Sequence, residues 1–310
     1  MNPMRDLLLA ASRSAWLRDR AMRAPFVRRA ARRFMPGERL DDALDAAAAL
    51  RPAGMPSILT CLGENVTRPE EAAAVAAHYL EAFDSAAARG LDVEISVKLT
   101  QLGLDLGQDL AAGHVATLAE RAARHRSRLW IDMEDSSCTD ATLAVYHALR
   151  PAHPTLGICL QAYLRRTEED LESLLPLAPA VRIVKGAYRE PPEKAFPRKA
   201  DVDESFFRLG ARLLSPGAVA AGAWTVAGTH DPILIGRLQA HAASAGLPRD
   251  AFEFDLLYGI RRDLQQNLAR DGWRVRILIS YGSSWFPWYM RRLAERPANL
   301  WFVARGLLSG

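Results

Sequence analysis

Residues 156–187, LGICLQAYLRRTEEDLESLLPLAPAVRIVKGA, read as strand, helix, strand. Leu156–Ala162 is a short apolar run of strand length. Thr167–Leu177 opens with Thr-Glu-Glu-Asp, the side-chain pattern that satisfies free N–H groups at a helix start. Val181–Ala187 is a second β-branched run. A connection of this length holds one crossover helix, so the two strands are expected to lie parallel. Working outward, the same alternation recurs in Ser57–Gly63, Glu94–Leu99, Leu129–Glu134, Trp224–Thr229, Ala251–Leu257 and Val275–Ser280. Pro69–Arg89 is an Ala-rich amphipathic helix between the first two of these. Eight strands starting 24 to 43 residues apart predict an α/β chain folded as a (β/α)8 TIM barrel. The rival is an open doubly wound sheet. No GxGxxG follows the first strand and no GxxxxGK[ST] occurs, so neither usual phosphate-binding reason for an open sheet is present.

The composition suits such a barrel. The 310 residues are 49% hydrophobic and 25% charged, which excludes a disordered or collagen-like chain. Three cysteines without a CxxC exclude a disulfide framework and a zinc ribbon, and point to a reducing, cytoplasmic compartment. No stretch approaches the roughly 18 apolar residues of a membrane-spanning helix. The net charge of +4 is unevenly spread, because residues 1–40 hold ten arginines and three acids. Residues 1–50 therefore read as a basic helical arm before a barrel of residues 51–310. The arm carries Leu7, Leu8, Trp16, Leu17, Phe26, Val27 and Phe34 among its arginines. It suits either a cover for the barrel or a peripheral contact with an anionic membrane. No motif supports nucleic-acid binding.

Barrel enzymes carry their chemistry at the C-terminal strand ends. Nearly every strand here ends in polar residues: Lys98, Asp132 and Glu134, Gln161, Lys185, Thr229 and His230, Asp255 and Tyr258, and Tyr281. One such residue is an ordinary solvated loop; the repetition argues for a functional mouth. Lys98, Arg182, Lys185, Arg189, Arg291 and Arg292 suit an anionic ligand. Asp132, Glu134 and Asp135 lack histidine partners, and no HxH or HExxH occurs, so no metal is expected. In the last helix, Ser284–Pro297, helical spacing puts Trp288, Arg291, Arg292 and Glu295 on one broad face. That set reads either as a pocket for a small carboxylate with an apolar body or as a surface ion pair beside a core tryptophan.

The segments SVKL (96–99), WIDMED (130–135), LQAYLRRTEEDL (160–171), VRIVKGAYRE (181–190), GTHD (228–231), EFDLLYG (253–259) and YGSSWFPWYMRRLAERPAN (281–299) resemble, in order, the proline dehydrogenase family in its short, monofunctional bacterial form. The resemblance implies a distorted barrel with non-covalent FAD at the strand C-termini and a final helix over the mouth. It implies oxidation of L-proline to Δ1-pyrroline-5-carboxylate, with electrons passed to a quinone or membrane carrier and the product passed to a pyrroline-5-carboxylate dehydrogenase. By the same resemblance, Lys98, Arg291 and Arg292 would grip the proline carboxylate, with Asp132 orienting them. Tyr188 would pack on the ring, and Glu295 would tie the last helix to the site. Met133, Gln161, Arg182, Lys185, Gly186, Ala187, Thr229 and His230 would contact FAD, with Arg182 and Asp132 serving the chemistry.

Three positions depart from the family pattern. Trp288 and Leu278 stand where tyrosines are usual, and Asp255 often has glutamine in its place. The two tyrosine losses leave the carboxylate grip intact and open the ring side to a related cyclic imino acid, such as hydroxyproline or pipecolate. A metal-dependent barrel aldolase is the alternative from another class.

Overall fold

The computed structural model describes residues 31–286 and 288–290. Eight parallel strands close into one barrel in sequence order. They are β1 (Ser57–Cys61), β2 (Val93–Val97), β3 (Leu129–Ile131), β4 (Leu156–Gln161), β5 (Ala180–Val184), β6 (Trp224–Gly228), β7 (Phe252–Leu257) and β8 (Arg274–Tyr281). Closure is made by β8 pairing with β1, from Ser57 opposite Ile277 to Cys61 opposite Tyr281. All eight expected strands form, within a few residues of the runs read from the sequence.

Several strands end two or three residues early, and two boundaries show the physical reason. The expected strand Leu129–Glu134 ends at Ile131, because the chain turns after Asp132 donates its amide to Val97 O at 2.8 Å. The expected helix Thr167–Leu177 is α-helical only to Leu174. Pro176 lacks the N–H that would continue it and restricts the residue before it, so Leu175–Leu177 tightens into a 3-10 turn.

Strand periodicity divides the side chains into two sets. Outward residues such as Leu59, Ile95, Ile131, Ile158, Ile183, Phe254 and Ile277 are fully buried or nearly so, and they form the main core with the helices. Each such burial contributes about 1.5–3 kcal/mol. The helix Pro69–Ala88 supplies Ala76, Tyr79, Ala82 and Phe83 to this layer. Pro69 opens it, and Glu70 and Glu71 sit favourably at its positive end. A helix over Leu40–Leu50 adds Ala43, Leu44, Ala46 and Ala47.

Inward residues stack in layers. At the N-terminal end, Arg276 bonds Glu253 and Asp92, each at 2.9 Å, and lies 3.5 Å from Glu94. Above this ionic floor sits an apolar middle of Ile58, Trp130, Ala180 and Val226, edged by Trp224 and Leu278. Trp130 joins the two layers by donating Nε1–H to Glu94 at 2.5 Å. Gly157 on the neighbouring strand makes room for the indole, since a Cβ there would lie 2.5 Å from Trp130 Cε3. The third layer, at the C-terminal ends, is charged.

The end of the arm meets the start of the last helix. Ala31 and Met35 are buried, and Arg33 O lies against Gly259, where a Cβ would be 1.8 Å away. Trp285 donates to Glu38 at 3.2 Å, and Tyr289 faces Phe34 with ring centroids 6.2 Å apart. The rest of the arm, residues 1–30, lies outside the described residues.

Candidate active site

The mouth is organised by Arg182 on β5. Its side chain is 3% exposed and projects into the barrel. Nη2 donates to Asp132 Oδ1 at 2.5 Å and to Ser96 Oγ at 2.6 Å. Nη1 donates to Asp255 Oδ2 at 3.3 Å. The guanidinium also lies over the Trp130 ring, 5.1 Å from its centroid. Ser96 donates to the same Asp132 oxygen at 2.8 Å, and Lys98 Nζ stands 4.0 Å from the other. Strands β2, β3, β5 and β7 thus each contribute to one network of two cations, two carboxylates and a hydroxyl.

Burial shapes its electrostatics. Desolvation pushes the Asp255 carboxyl up to about 8, against the pull of Arg182. Asp255 Oδ1 is buried and has no hydrogen-bond partner among the described residues. Arg182 pays the same desolvation penalty, yet the acidic groups around it, Asp132 foremost, hold it charged.

Around this network lie the other residues singled out from the sequence. Gln161, at the end of β4, donates Nε2–H to Met133 O at 3.1 Å, and its buried Oε1 has no partner among the described residues. Thr229 and Met133 are buried nearby in the chain's β6 and β3 loops. His230 Nε2 accepts the Leu257 amide at 2.9 Å, which fixes the proton of the neutral ring on Nδ1. Gly186 has φ +110°, and a Cβ there would lie 2.2 Å from Tyr163 Cδ1, so backbone geometry and the tyrosine both require glycine. Ala187 and Tyr188 follow it at intermediate exposure, and Arg189 is exposed.

Lys185 is already paired. Its Nζ bonds Asp203 at 2.6 Å and Asp231 at 2.8 Å, and Lys199 completes an alternating square on the same carboxylates. Asp231 also caps the helix Pro232–Ser244 by accepting the Ile233 amide at 3.1 Å. Burial raises the Asp231 carboxyl, but Lys185, Lys199 and the Ile233 amide outweigh it and lower it to about 2.

Other strand-end residues serve the scaffold. Glu134 accepts Thr100 N–H at 3.0 Å and Thr100 Oγ1 at 2.5 Å, which braces the β2 loop. Asp135 accepts from Ser137 N at 2.9 Å. With Asp132 held by Arg182, the three carboxylates diverge, and no group of metal-ligating residues converges among the described residues. Tyr281 points out of the barrel and meets His78 Nε2 on the first barrel helix at 2.8 Å. Residues 285, 286 and 288–290 are helical and Trp288 is buried. Arg291, Arg292 and Glu295 lie outside the described residues. The sequence reading missed Ser96 as a mouth residue. The polar Ser between apolar Ile95 and Val97 was the available signal.

A closed parallel barrel with a charged, cross-strand network at its C-terminal mouth defines an enzyme of the α/β-barrel class. The model for the family described as proline dehydrogenase matches residues 43–305. Proline dehydrogenase 1 of Bacillus subtilis subsp. natto is 39% identical over 279 residues, 90% of each chain. Proline dehydrogenase of Deinococcus radiodurans is 37% identical over 285 residues, again 90% of each chain. A solved structure of proline utilization A from Bdellovibrio bacteriovorus, inactivated by N-propargylglycine, superposes with a TM-score of 0.80 at 24% identity. It is matched over 87% of this chain and 33% of that longer one, and it supports the fold. The chain belongs to the proline dehydrogenase family. It is an oxidoreductase of proline metabolism with proline dehydrogenase activity.

Proposed function

We propose that this chain oxidises L-proline to Δ1-pyrroline-5-carboxylate with bound FAD and delivers the electrons to a quinone. The observation that carries this reading is the network of Lys98, Asp132, Ser96 and Arg182, which offers oriented cations at the mouth of a barrel. The site fits a flavin on one further point. Gln161 Oε1 is a buried acceptor awaiting a donor, and a flavin ring has an N–H to give. Met133, Gln161, Arg182, Lys185, Gly186, Ala187, Thr229 and His230 would hold it. When bound, FAD supplies the two-electron acceptor for hydrogen leaving the carbon beside the proline nitrogen.

The protein's own groups do the rest. Lys98, with Arg291 and Arg292, would bind the substrate carboxylate, and Asp132 keeps Lys98 and Arg182 in fixed positions. Tyr188 would pack on the ring. Arg182 would stabilise negative charge that develops beside it. The substrate amine must lose a proton before or during the transfer. His230 does not take that proton through Nε2, whose lone pair is committed to the Leu257 amide. The cations around the carboxylate disfavour a protonated amine and so promote its loss to solvent. The cyclic imine and its hydrolysed form are substrates for a pyrroline-5-carboxylate dehydrogenase. No described helix is long and apolar enough to cross a membrane. A cytoplasmic protein that reaches a membrane quinone peripherally, through the basic arm, fits this reading.

The test is to incubate purified protein with L-proline and a soluble quinone, trapping the cyclic imine with an aromatic amino-aldehyde. Hydroxyproline and pipecolate run beside it, because Leu278 gives the ring side no hydroxyl. Imine formed from L-proline in step with quinone reduction is the expected result. No imine from L-proline, or turnover only with another cyclic imino acid, overturns the substrate assignment.

A further inference from the structure

We propose that Asp255 is a positioning residue that acts through Arg182 to set how readily the bound FAD accepts electrons, so that one proton on Asp255 tunes the redox equilibrium. The inference rests on the flavin reading above and goes beyond it, to a residue that touches neither substrate nor flavin.

Arg182 is shared between two carboxylates, Asp132 at 2.5 Å and Asp255 at 3.3 Å. Asp132 is the partly exposed member, at 20%, and has Lys98 and Ser96 as further partners. Asp255 is nearly inaccessible, at 4%, and among the described residues its side chain accepts one hydrogen bond, from Arg182 to Oδ2. Its Oδ1 has no partner among the described residues. A buried carboxylate needs several hydrogen bonds to remain charged; this one has a single, long bond. The charged groups facing it are Arg182 from β5, Glu94 from β2, Arg276 from β8 and Glu253 from its own strand. The two glutamates oppose a negative charge on Asp255 and the two arginines favour it.

The consequence is a unit change of charge at the mouth. With Asp255 protonated, Lys98, Arg182 and Asp132 sum to +1. With Asp255 ionised, the set sums to zero. Inside a low-dielectric barrel such a change is weakly screened. Arg182 is the member that would stand beside the flavin ring, so its uncompensated positive charge favours the negative charge that arrives with two electrons. Linkage is reciprocal: reducing the flavin must raise the proton affinity of Asp255. Burial pushes this carboxyl up to about 8, so the change falls in mildly alkaline solution.

The experiment is an equilibrium redox titration of the FAD-loaded wild type and of Asp255→Asn against reference dyes, across a pH range centred on 8. The wild type should show an inflection in its potential that the variant lacks. Above the inflection the variant should favour the reduced form by at least about tenfold, which is about 30 mV for a two-electron couple. Parallel profiles that differ by less than about threefold at every pH overturn the role of Asp255. Should Asp255→Asn fail to fold or to retain flavin, the wild type alone decides. Redox difference infrared spectra scanned in small pH steps upward from the inflection of the oxidised form should then gain a protonated-carboxyl C=O band on reduction, and its absence at every step overturns the proposal. Wild-type protein purified without flavin, and unable to bind added FAD, overturns the underlying flavin reading instead.

Discussion

Asp132, just past the end of β3, and Arg182, on β5, meet across the barrel through a 2.5 Å hydrogen bond. The bond turns two residues 50 positions apart in sequence into one unit. Strand β4 lies between theirs in the sheet, so only closure of the barrel brings the two side chains together.

That pair should be indispensable. Asp132→Ala leaves a buried guanidinium with Asp255 and Ser96 and removes the carboxylate facing Lys98. Breaking a buried pair from one side costs about 3–5 kcal/mol. The expected result is a fall in kcat/KM of at least about 100-fold with a soluble dye acceptor. Asp132→Asn keeps the shape and loses the charge, and should show most of the same loss.

Arg291 and Arg292 should act on substrate binding. Replacing either with Met is expected to raise the KM for proline while FAD content stays unchanged. Loss of a charge-assisted contact to a carboxylate costs about 2–4 kcal/mol in catalytic efficiency, or about 30- to 1000-fold. Steady-state kinetics alongside flavin quantitation check this. Values for both variants within about threefold of wild type would remove them from the site.

Gly157 should matter for stability and not for chemistry. An added methyl would lie 2.5 Å from Trp130 Cε3 and 2.6 Å from Cζ3, with the indole held between the ionic floor and Arg182. Overpacking of this kind costs about 1–3 kcal/mol. Gly157→Ala should lower the thermal midpoint by several degrees. An unchanged midpoint would show that the indole can move freely.

The ion square at Asp231 should fail in acid. Its carboxyl is lowered to about 2 in the folded protein, from an ordinary value of 3.8. A lowered carboxyl contributes stability above its ordinary value, and that contribution is lost as pH falls from about 4 toward 2. Asp231→Asn keeps the helix cap but not the charge. The midpoint difference between wild type and variant should therefore be constant at neutral pH and shrink across that acid window. A difference independent of pH would mean that the square adds no charge-dependent stability.

The fold was legible because strands in a closed parallel barrel need apolar residues on their outer faces. Runs such as Leu156–Gln161 and Ala180–Val184 meet that need and are fully buried save Val184. That Lys98, Asp132, Arg182 and Asp255 stand toward one end of the barrel was legible for a similar reason, since the position along a strand sets the layer. Partnerships were not. Lys185 reads in the sequence as a free cation, yet Asp203 and Asp231 come to it from two separate helix starts. Tyr281 reads as a mouth residue, but alternation turns it outward to His78, 203 residues away. The floor of Glu94, Glu253 and Arg276 was invisible, because only closure and stagger decide which inward side chains meet. Asp255 stood out as a departure from the family pattern. Its bond to Arg182, and an Oδ1 without a partner among the described residues, needed the folded barrel to be seen.

The most direct test of the account is anaerobic mixing of the purified protein with L-proline while visible absorption is followed. The account predicts a yellow protein whose flavin bands bleach in a single saturable process, and an Asp132→Ala variant that keeps its flavin but bleaches at least about 100-fold more slowly. A colourless protein that does not take up FAD, or flavin bands unmoved by L-proline, would contradict it.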